Sequence, residues 1–293
     1  MTYNIIKRGG IAMKIKAIVM DVDGTLTNKE KKISPKTKEV LLKVQEKGII
    51  LVLASGRPTT GLLDLSEELK MGKNNGLLVS FNGSKVIDCE SGEELFNEPM
   101  SIEAGKEVLE HMKKFEVRPM IDKDDYMYVN DVFDGMLNLD GKLFNVIQYE
   151  SRGGKYKLCE KTDLAEFADY PLNKILTAGN PEYLQKNYKA MMEPFKDSLS
   201  CMFTGSFYFE FTAKGIDKAK ALDTVFKPMG ITADEIISFG DGHNDMSIIE
   251  YAGIGVAMAN AVDDLKAAAD EITASCDEDG IAVSLLKHLP ELV

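Results

Sequence analysis

Asp21 and Asp23 sit two residues apart at the end of the apolar run 15–20, directly before Gly24-Thr25. A buried strand that breaks into a glycine turn with two carboxylates at its tip must pair those charges or lose free energy to desolvation and repulsion. A divalent cation resolves the repulsion, and a carboxylate held beside such a cation can attack phosphorus. Phosphoryl transfer needs further groups, and the chain carries them at or beside other predicted strand ends: Ser55-Gly56, Lys218, and Asp241 with Asp245. Asp21 is the candidate nucleophile. Asp23, one strand alternation away, could protonate the leaving oxygen and then take a proton from the attacking water. Asp21, Asp241 and Asp245 could gather a hard cation, and Mg2+ prefers carboxylate and water oxygens. The Ser55 hydroxyl and the Gly56 amide are donors for phosphate oxygens. Lys218 is a compact positive charge able to bridge the nucleophile and the phosphoryl group.

Such residues need a scaffold that brings several strand ends together. After a predicted strand at 14–20, Ser34-Pro35 reads as an N-cap followed by proline at the first helical position, and Gly48 stands where a C′ glycine belongs. Residues 49–54 form a near-continuous apolar strand, the mark of a parallel strand covered on both faces. A helix is expected from Ser55-Gly56-Arg57-Pro58 to about Lys70, with a short strand at 77–80 after it. The same grammar returns late in the chain: helix 216–229, strand 235–239, the loop 240–245, helix 246–251, strand 254–257 and helix 262–269. This alternation implies an α/β fold with a doubly wound, Rossmann-like parallel sheet, whose ligands bind outside the carboxyl ends of the strands.

The middle of the chain mixes alternating strands (126–129, 207–211) with helices (101–114, 181–192). It reads as an α+β domain inserted into the first. The expected division is a core of 14–87 plus 210–293 and a cap of 88–209, with 1–13 as an N-terminal extension and Met13 as an alternative start.

Several classes of function are disfavoured. The net charge of −12 argues against a nucleic-acid partner or an anionic membrane surface. No stretch suits a bilayer span, and Lys7 and Arg8 are not followed by the apolar segment of a signal peptide. Cys89, Cys159, Cys201 and Cys276 make no Cys-x-x-Cys pair and read as reduced thiols. A cytoplasmic location is expected. The oligomeric state is not legible.

Together, the segments that carry chemistry resemble the haloacid dehalogenase superfamily phosphatases, and within them the Cof-like group with the larger α/β cap. Asp21-x-Asp23-Gly24-Thr25-Leu26 resembles the first motif and Ala54-Ser55-Gly56-Arg57 the second. Lys218 within Lys214-Gly215-Ile216-Asp217-Lys218 resembles the third motif, and the run from Gly240 to Asp245 the fourth. The likeness covers the chain after the first dozen residues, and the insertion falls where this group carries its cap. It implies that Asp21 forms an aspartyl-phosphate and that Asp23 is the general acid/base. It also implies that Asp21, the Asp23 carbonyl and Asp241 bind Mg2+, with Asp245 ligating directly or through water. Ser55 and Lys218 would hold the phosphate, and Asn244 would face the same pocket. His243 and Ala219 depart from the pattern, where acidic or polar residues and glycine are more common, without removing a catalytic group.

Other features have plainer readings. Ser55 could equally cap a helix, and Arg57 could pair with a sheet-end carboxylate or line the substrate mouth. Lys214 rivals Lys218 but stands off the motif position. His111 and His288 read as structural or surface residues, Phe207, Phe209 and Phe211 as packing, and Asp122, Asp124 and Asp125 as a solvated turn. The expectation is a Mg2+-dependent phosphatase for a small phosphorylated metabolite, a sugar phosphate favoured. Flavin, pyridoxal and nucleotide phosphates stay open by resemblance. The alternatives are a phosphotransferase or mutase on the same scaffold, and a metabolite-binding regulator without catalysis.

Overall fold

The computed structural model describes residues 15–139 and 141–290. The expected extension at 1–13 and the alternative start at Met13 lie outside the described residues. The chain opens with β1 (Ala17–Met20), α1 (Pro35–Glu46), β2 (Ile50–Ala54), α2 (Leu63–Glu68), β3 (Leu77–Ser80), β4 (Lys85–Asp88) and β5 (Glu94–Asn97). It continues through α3 (Ile102–Met112), β6 (Arg118–Lys123), β7 (Tyr126–Val129), β8 (Met136–Leu139), β9 (Lys142–Asn145), α4 (Val146–Gly153) and β10 (Lys157–Glu160). Next come α5 (Leu164–Phe167), β11 (Ile175–Ala178), α6 (Pro181–Met192), β12 (Leu199–Gly205) and β13 (Tyr208–Ala213). The last stretch holds α7 (Lys218–Phe226), β14 (Ile236–Gly240), α8 (Met246–Tyr251), β15 (Ile254–Ala257), α9 (Asp263–Ala268), β16 (Glu271–Ile272) and α10 (Gly280–His288).

The large sheet runs β16-β15-β14-β1-β2-β3-β4-β5, parallel from β16 to β3 and antiparallel at β4 and β5. Alternation along each strand sends successive side chains to opposite faces, and both faces are covered. Ile18, Met20, Leu51 and Leu53 pack with Val40, Leu41 and Val44 of α1 and with Ile281 and Leu285 of α10. Ala17, Val19, Val52 and Val79 pack with Ala221, Leu222 and Val225 of α7 and Ile248 of α8. Truncating one of these buried leucines to alanine is worth about 2–5 kcal/mol. The chain steps from β1 outward to β2 and β3, then returns on the other side of β1 as β14. That makes the β14/β1 edge the topological switch point, where open α/β sheets bind ligands.

A second sheet, β10-β7-β6-β11-β13-β12, belongs to the inserted segment, with a separate β8-β9 hairpin beside it. One of its faces carries an apolar cluster with α3, α5 and α6, and the other packs α4 through Val146 and Ile147. Sheet membership differs from the expected boundaries at 87/88 and 209/210. Glu94–Asn97 pairs with β4 and extends the large sheet, and Tyr208–Ala213 lies inside the second one. The reason is packing: Phe209 and Phe211 alternate into the cap's apolar cluster, whereas Phe207 packs on the opposite side with Phe144.

α1 is capped by Ser34, whose side chain accepts from Thr37 N–H, and Pro35 opens it. The helix expected from Ser55 to Lys70 is much shorter. A 3-10 turn at Thr59–Gly61 precedes α2. Pro58 disfavours a helical conformation at Arg57, so Ser55 caps no helix. Asp122 also departs from expectation: it lies within β6 rather than in a solvated turn, and burial pushes its carboxyl up to about 6 against the pull of Lys174. Among the described residues no helix is long and apolar enough to cross a membrane.

Candidate active site

Three adjacent parallel strands end at the residues singled out above. Asp21 follows β1, and its N–H continues the ladder to Phe239 O at 3.0 Å. Ser55 follows β2 and donates its N–H to Val79 O at 2.8 Å. Asp241 follows β14. Lys218 is the first residue of α7, whose N-cap Asp217 accepts from Lys220 N–H. Gly24 takes φ +84°, and a Cβ there would collide with the Asp241 carboxylate, so both the turn and the neighbouring side chain favour glycine.

Lys218 is fully buried, and its ammonium donates to Asp21 Oδ1 and Asp245 Oδ1, each at 2.6 Å. Asp245 Oδ2 accepts from the N–H groups of Asp241 and Gly242, both at 3.0 Å. Thr25 donates to Asp241 Oδ1 at 2.9 Å. The Asn260 amide bonds Gly24 O at 2.8 Å and Asp241 Oδ2 at 3.4 Å. Burial and the Asp245 charge push the Asp21 carboxyl well above the usual range, only partly opposed by Lys218. Burial likewise lifts Asp241 to about 6, with Asp245 adding to the shift and the Thr25 hydroxyl opposing it. For Lys218 burial acts to lower the ammonium, but Asp21 and Asp245 outweigh it and raise it.

This donor set fits a divalent metal. Asp21, Asp241 and Asp245 each offer a carboxylate oxygen within 4.8 Å of the others. Three carboxylates against one ammonium leave two negative charges at one point, and hard oxygen donors suit a hard cation.

Asp23 lies in a different environment. Its carboxylate is gripped by Arg57 Nε at 2.7 Å and Nη2 at 2.8 Å, and by Lys31 Nζ at 2.7 Å. Burial alone would raise it, but the guanidinium and the ammonium hold it below the usual range. Arg57 thus makes the expected pairing with a sheet-end carboxylate.

The structure thus brings Asp21, Asp23, Ser55, Lys218, Asp241 and Asp245 to one edge. Ser55 Oγ accepts from Arg57 N–H at 3.1 Å, and among the described residues Gly56 N–H meets no acceptor. Asn244 is exposed and donates to Asn82 Oδ1 at 3.0 Å across the loop ends. Lys214 is elsewhere, donating to Asp197 O at 2.6 Å. His111 bonds Ala190 O and His288 bonds Glu271, both away from the site.

Sequence reading missed Asn82, Asn260 and Lys31. Asn82 takes φ +56° in the turn after β3, and Asn82-Gly83 at a strand end was the available signal. Asn260 and Lys31 have no local signature. It also missed Lys174 of the inserted segment, which reaches Gly56 O at 3.1 Å. A cleft of about 310 Å³ at the junction of the two units is lined by Thr59, Lys85, Asp122, Tyr156, Tyr170 and Asn173, but not by Asp21.

Comparison with known proteins places this arrangement. The family model for haloacid dehalogenase-like hydrolases matches residues 18–285. A haloacid dehalogenase-like hydrolase from Bacteroides thetaiotaomicron superposes with a TM-score of 0.85 at 34% identity, covering 94% of this chain and 99% of that one. The Bacillus subtilis 5-amino-6-(5-phospho-D-ribitylamino)uracil phosphatase YcsE is 29% identical over 92% of this chain and 94% of its own length. The Escherichia coli pyridoxal phosphate phosphatase YbhA is 24% identical over 94% of this chain and its whole length. The chain belongs to the haloacid dehalogenase-like hydrolase family, as a phosphatase of its Cof-like group.

Proposed function

We propose that the protein is a Mg2+-dependent phosphatase that hydrolyses a small phosphorylated metabolite, a sugar phosphate first among them, through an aspartyl-phosphate on Asp21. The observation that carries this reading is the buried Lys218 ammonium, bonded at 2.6 Å to Asp21 and to Asp245 beside Asp241, at the switch point of the sheet. Asp21 Oδ1 is held by the lysine, which leaves Oδ2 to attack phosphorus as the bond to the leaving oxygen breaks. Lys218 and the Ser55 hydroxyl stabilise the charge on the phosphoryl oxygens, with the Gly56 amide as a further donor. A cation held by Asp21, Asp241, Asp245 and the Asp23 carbonyl would neutralise the phosphoryl charge. Asn244, whose amide bonds Asn82 across the loop ends, is assigned to the same phosphate site.

Asp23 gives a proton to the leaving oxygen and takes one from the water that cleaves the acyl phosphate. The ion pair with Arg57 suits the second step, because it keeps Asp23 ionised. The first step needs a protonated Asp23, so the pair must loosen, and a substrate anion that draws the guanidinium away would loosen it. The inserted unit acts as a cap that excludes water and contacts the leaving group. Ribityl and pyridoxal phosphates, named for the relatives YcsE and YbhA, belong in the substrate panel.

The test is inorganic phosphate release from a panel of sugar, sugar-alcohol, pyridoxal and nucleotide monophosphates, with and without Mg2+. Release from at least one ester that requires Mg2+ and no acceptor alcohol is the expected result. Release only in the presence of a second hydroxyl compound would make the protein a phosphotransferase. Full activity in chelator would overturn the metal assignment.

A further inference from the structure

The loop after β2 presents three carbonyls, and their partners divide between the two units. Ser55 O accepts from Asn82 N–H at 3.0 Å and Arg57 O from Phe81 N–H at 2.9 Å, both donors belonging to the core. Gly56 O accepts instead from Lys174 Nζ at 3.1 Å, a side chain of the inserted unit just ahead of β11. The same ammonium is held at 3.1 Å by Glu210 of β13, and both side chains are largely buried.

Strand register explains the placement. Leu176 pairs with Met120 of β6 and with Glu210 of β13, so position 174, two residues earlier, shares their face of the sheet. α3, α5 and α6 cover the other face. Lys174 therefore projects toward the core, and Glu210 fixes its direction.

The Gly56 carbonyl and the Arg57 N–H are opposite ends of one planar peptide and point in opposite directions. The Arg57 N–H donates to Ser55 Oγ at 3.1 Å. A cation on Gly56 O thus holds the far end of the same peptide against the Ser55 hydroxyl. With one lone pair occupied by that N–H, the Ser55 O–H is directed elsewhere, available to a phosphoryl oxygen. Glycine has no Cβ to restrain this peptide, so without the lysine the bond from Arg57 N–H to Ser55 Oγ is left, among the described residues, as the one hydrogen bond holding the plane.

We propose that Lys174 is a positioning residue that transmits the seating of the cap to the phosphate-binding loop, by fixing the Gly56–Arg57 peptide and with it the donor direction of Ser55. This inference rests on the reading of Asp21 and Ser55 as the phosphoryl site. Lys174 does not touch the reacting atoms. Its effect falls on whichever substrate occupies the site, because it acts through the loop common to all of them.

The test uses the full chain with Mg2+ and three variants. Lys174→Met leaves Glu210 buried without its partner and is vulnerable to misfolding. The double variant Lys174→Met/Glu210→Gln removes both charges, and Lys174→Arg supplies a longer cation. In the folded double variant, kcat for p-nitrophenyl phosphate and for the best panel metabolite should fall at least tenfold and by similar factors. KM should change less than kcat, and vanadate inhibition should weaken in parallel with kcat. Lys174→Arg should recover most of the loss. A folded double variant with kcat within twofold of the parent for both substrates would overturn the proposal. So would a loss confined to the larger metabolite, since that would place Lys174 on the leaving group. Inactivity of the parent on every phosphate ester would instead refute the phosphatase reading on which the inference stands.

Discussion

Each unit of this protein buries one lysine among three carboxylates, and the two clusters have different consequences. In the core, Lys218 faces Asp21, Asp245 and Asp241, whose oxygens converge within 4.8 Å. In the inserted unit, Lys174 faces Glu210, with Glu150 and Asp122 farther out. Among the described residues only the first cluster brings three carboxylate oxygens within metal-binding reach of one another. The second is dispersed over two strands and a helix, with Glu150 tied to the Tyr208 hydroxyl at 2.5 Å. Equal charge counts therefore do not make equal sites. Convergence makes a donor set that fits a divalent cation, whereas dispersion leaves the lysine free to reach across to Gly56.

The contrast can be broken most decisively at Asp21. Asp21→Asn should lower kcat by more than about 10^3-fold, because it removes the attacking oxygen's charge while keeping the side chain's shape. Asp23→Asn should cost about 10^2–10^4-fold and leave metal binding intact, as its side chain pairs with Arg57 rather than joining the carboxylate trio. Isothermal titration of Mg2+ into each variant separates the two: binding should weaken for Asp21→Asn and persist for Asp23→Asn.

Metal should also distinguish the clusters thermally. Mg2+ at a hundredfold excess over its Kd should stabilise the fold by about 2.7 kcal/mol. Asp241→Ala should abolish this increment, and Glu210→Gln should retain it. An increment that survives Asp241→Ala would move the metal away from the core edge.

The smallest expected effect lies at Asp122, whose carboxyl is pushed up to about 6. The fold holds this proton more tightly than the unfolded chain does, so stability from this group falls as pH rises from about 4 to about 6 and stays low above that. Asp122→Asn should therefore stabilise the protein by about 2 kcal/mol at pH 8 and have little effect at pH 4. Denaturant midpoints at the two pH values measure the difference. A gain of the same size at both would place Asp122 in water.

Much of the core was legible because its chemistry is written in short segments. Asp21 and Asp23 share one turn, Asp241 and Asp245 another, and Ser34-Pro35 caps α1 as its residue types require. Arg57 was readable only as a choice between two partners, since its bidentate contact with Asp23 spans two loops. The length of the helix after β2 was misjudged because Pro58 interrupts a pattern whose apolar spacing looks continuous. The edge strand Glu94–Asn97 and the placement of Tyr208–Ala213 were lost for a related reason: strand patterns alternate alike whichever sheet they join.

The amino-acid sequence by itself determined the inventory of the site, that is, the family, the strand-end carboxylates, the serine and the lysine. These depend on residue type and on turns a few residues long, where local sterics and hydrogen bonding act. The tertiary structure alone decided which charges converge. It placed Lys218 between Asp21 and Asp245, gave Asp23 to Arg57, and brought Lys174 across to Gly56 from a segment 118 residues away. Those partnerships follow from strand order and sheet register, which depend on the burial of whole faces, and no local stretch of the chain encodes them.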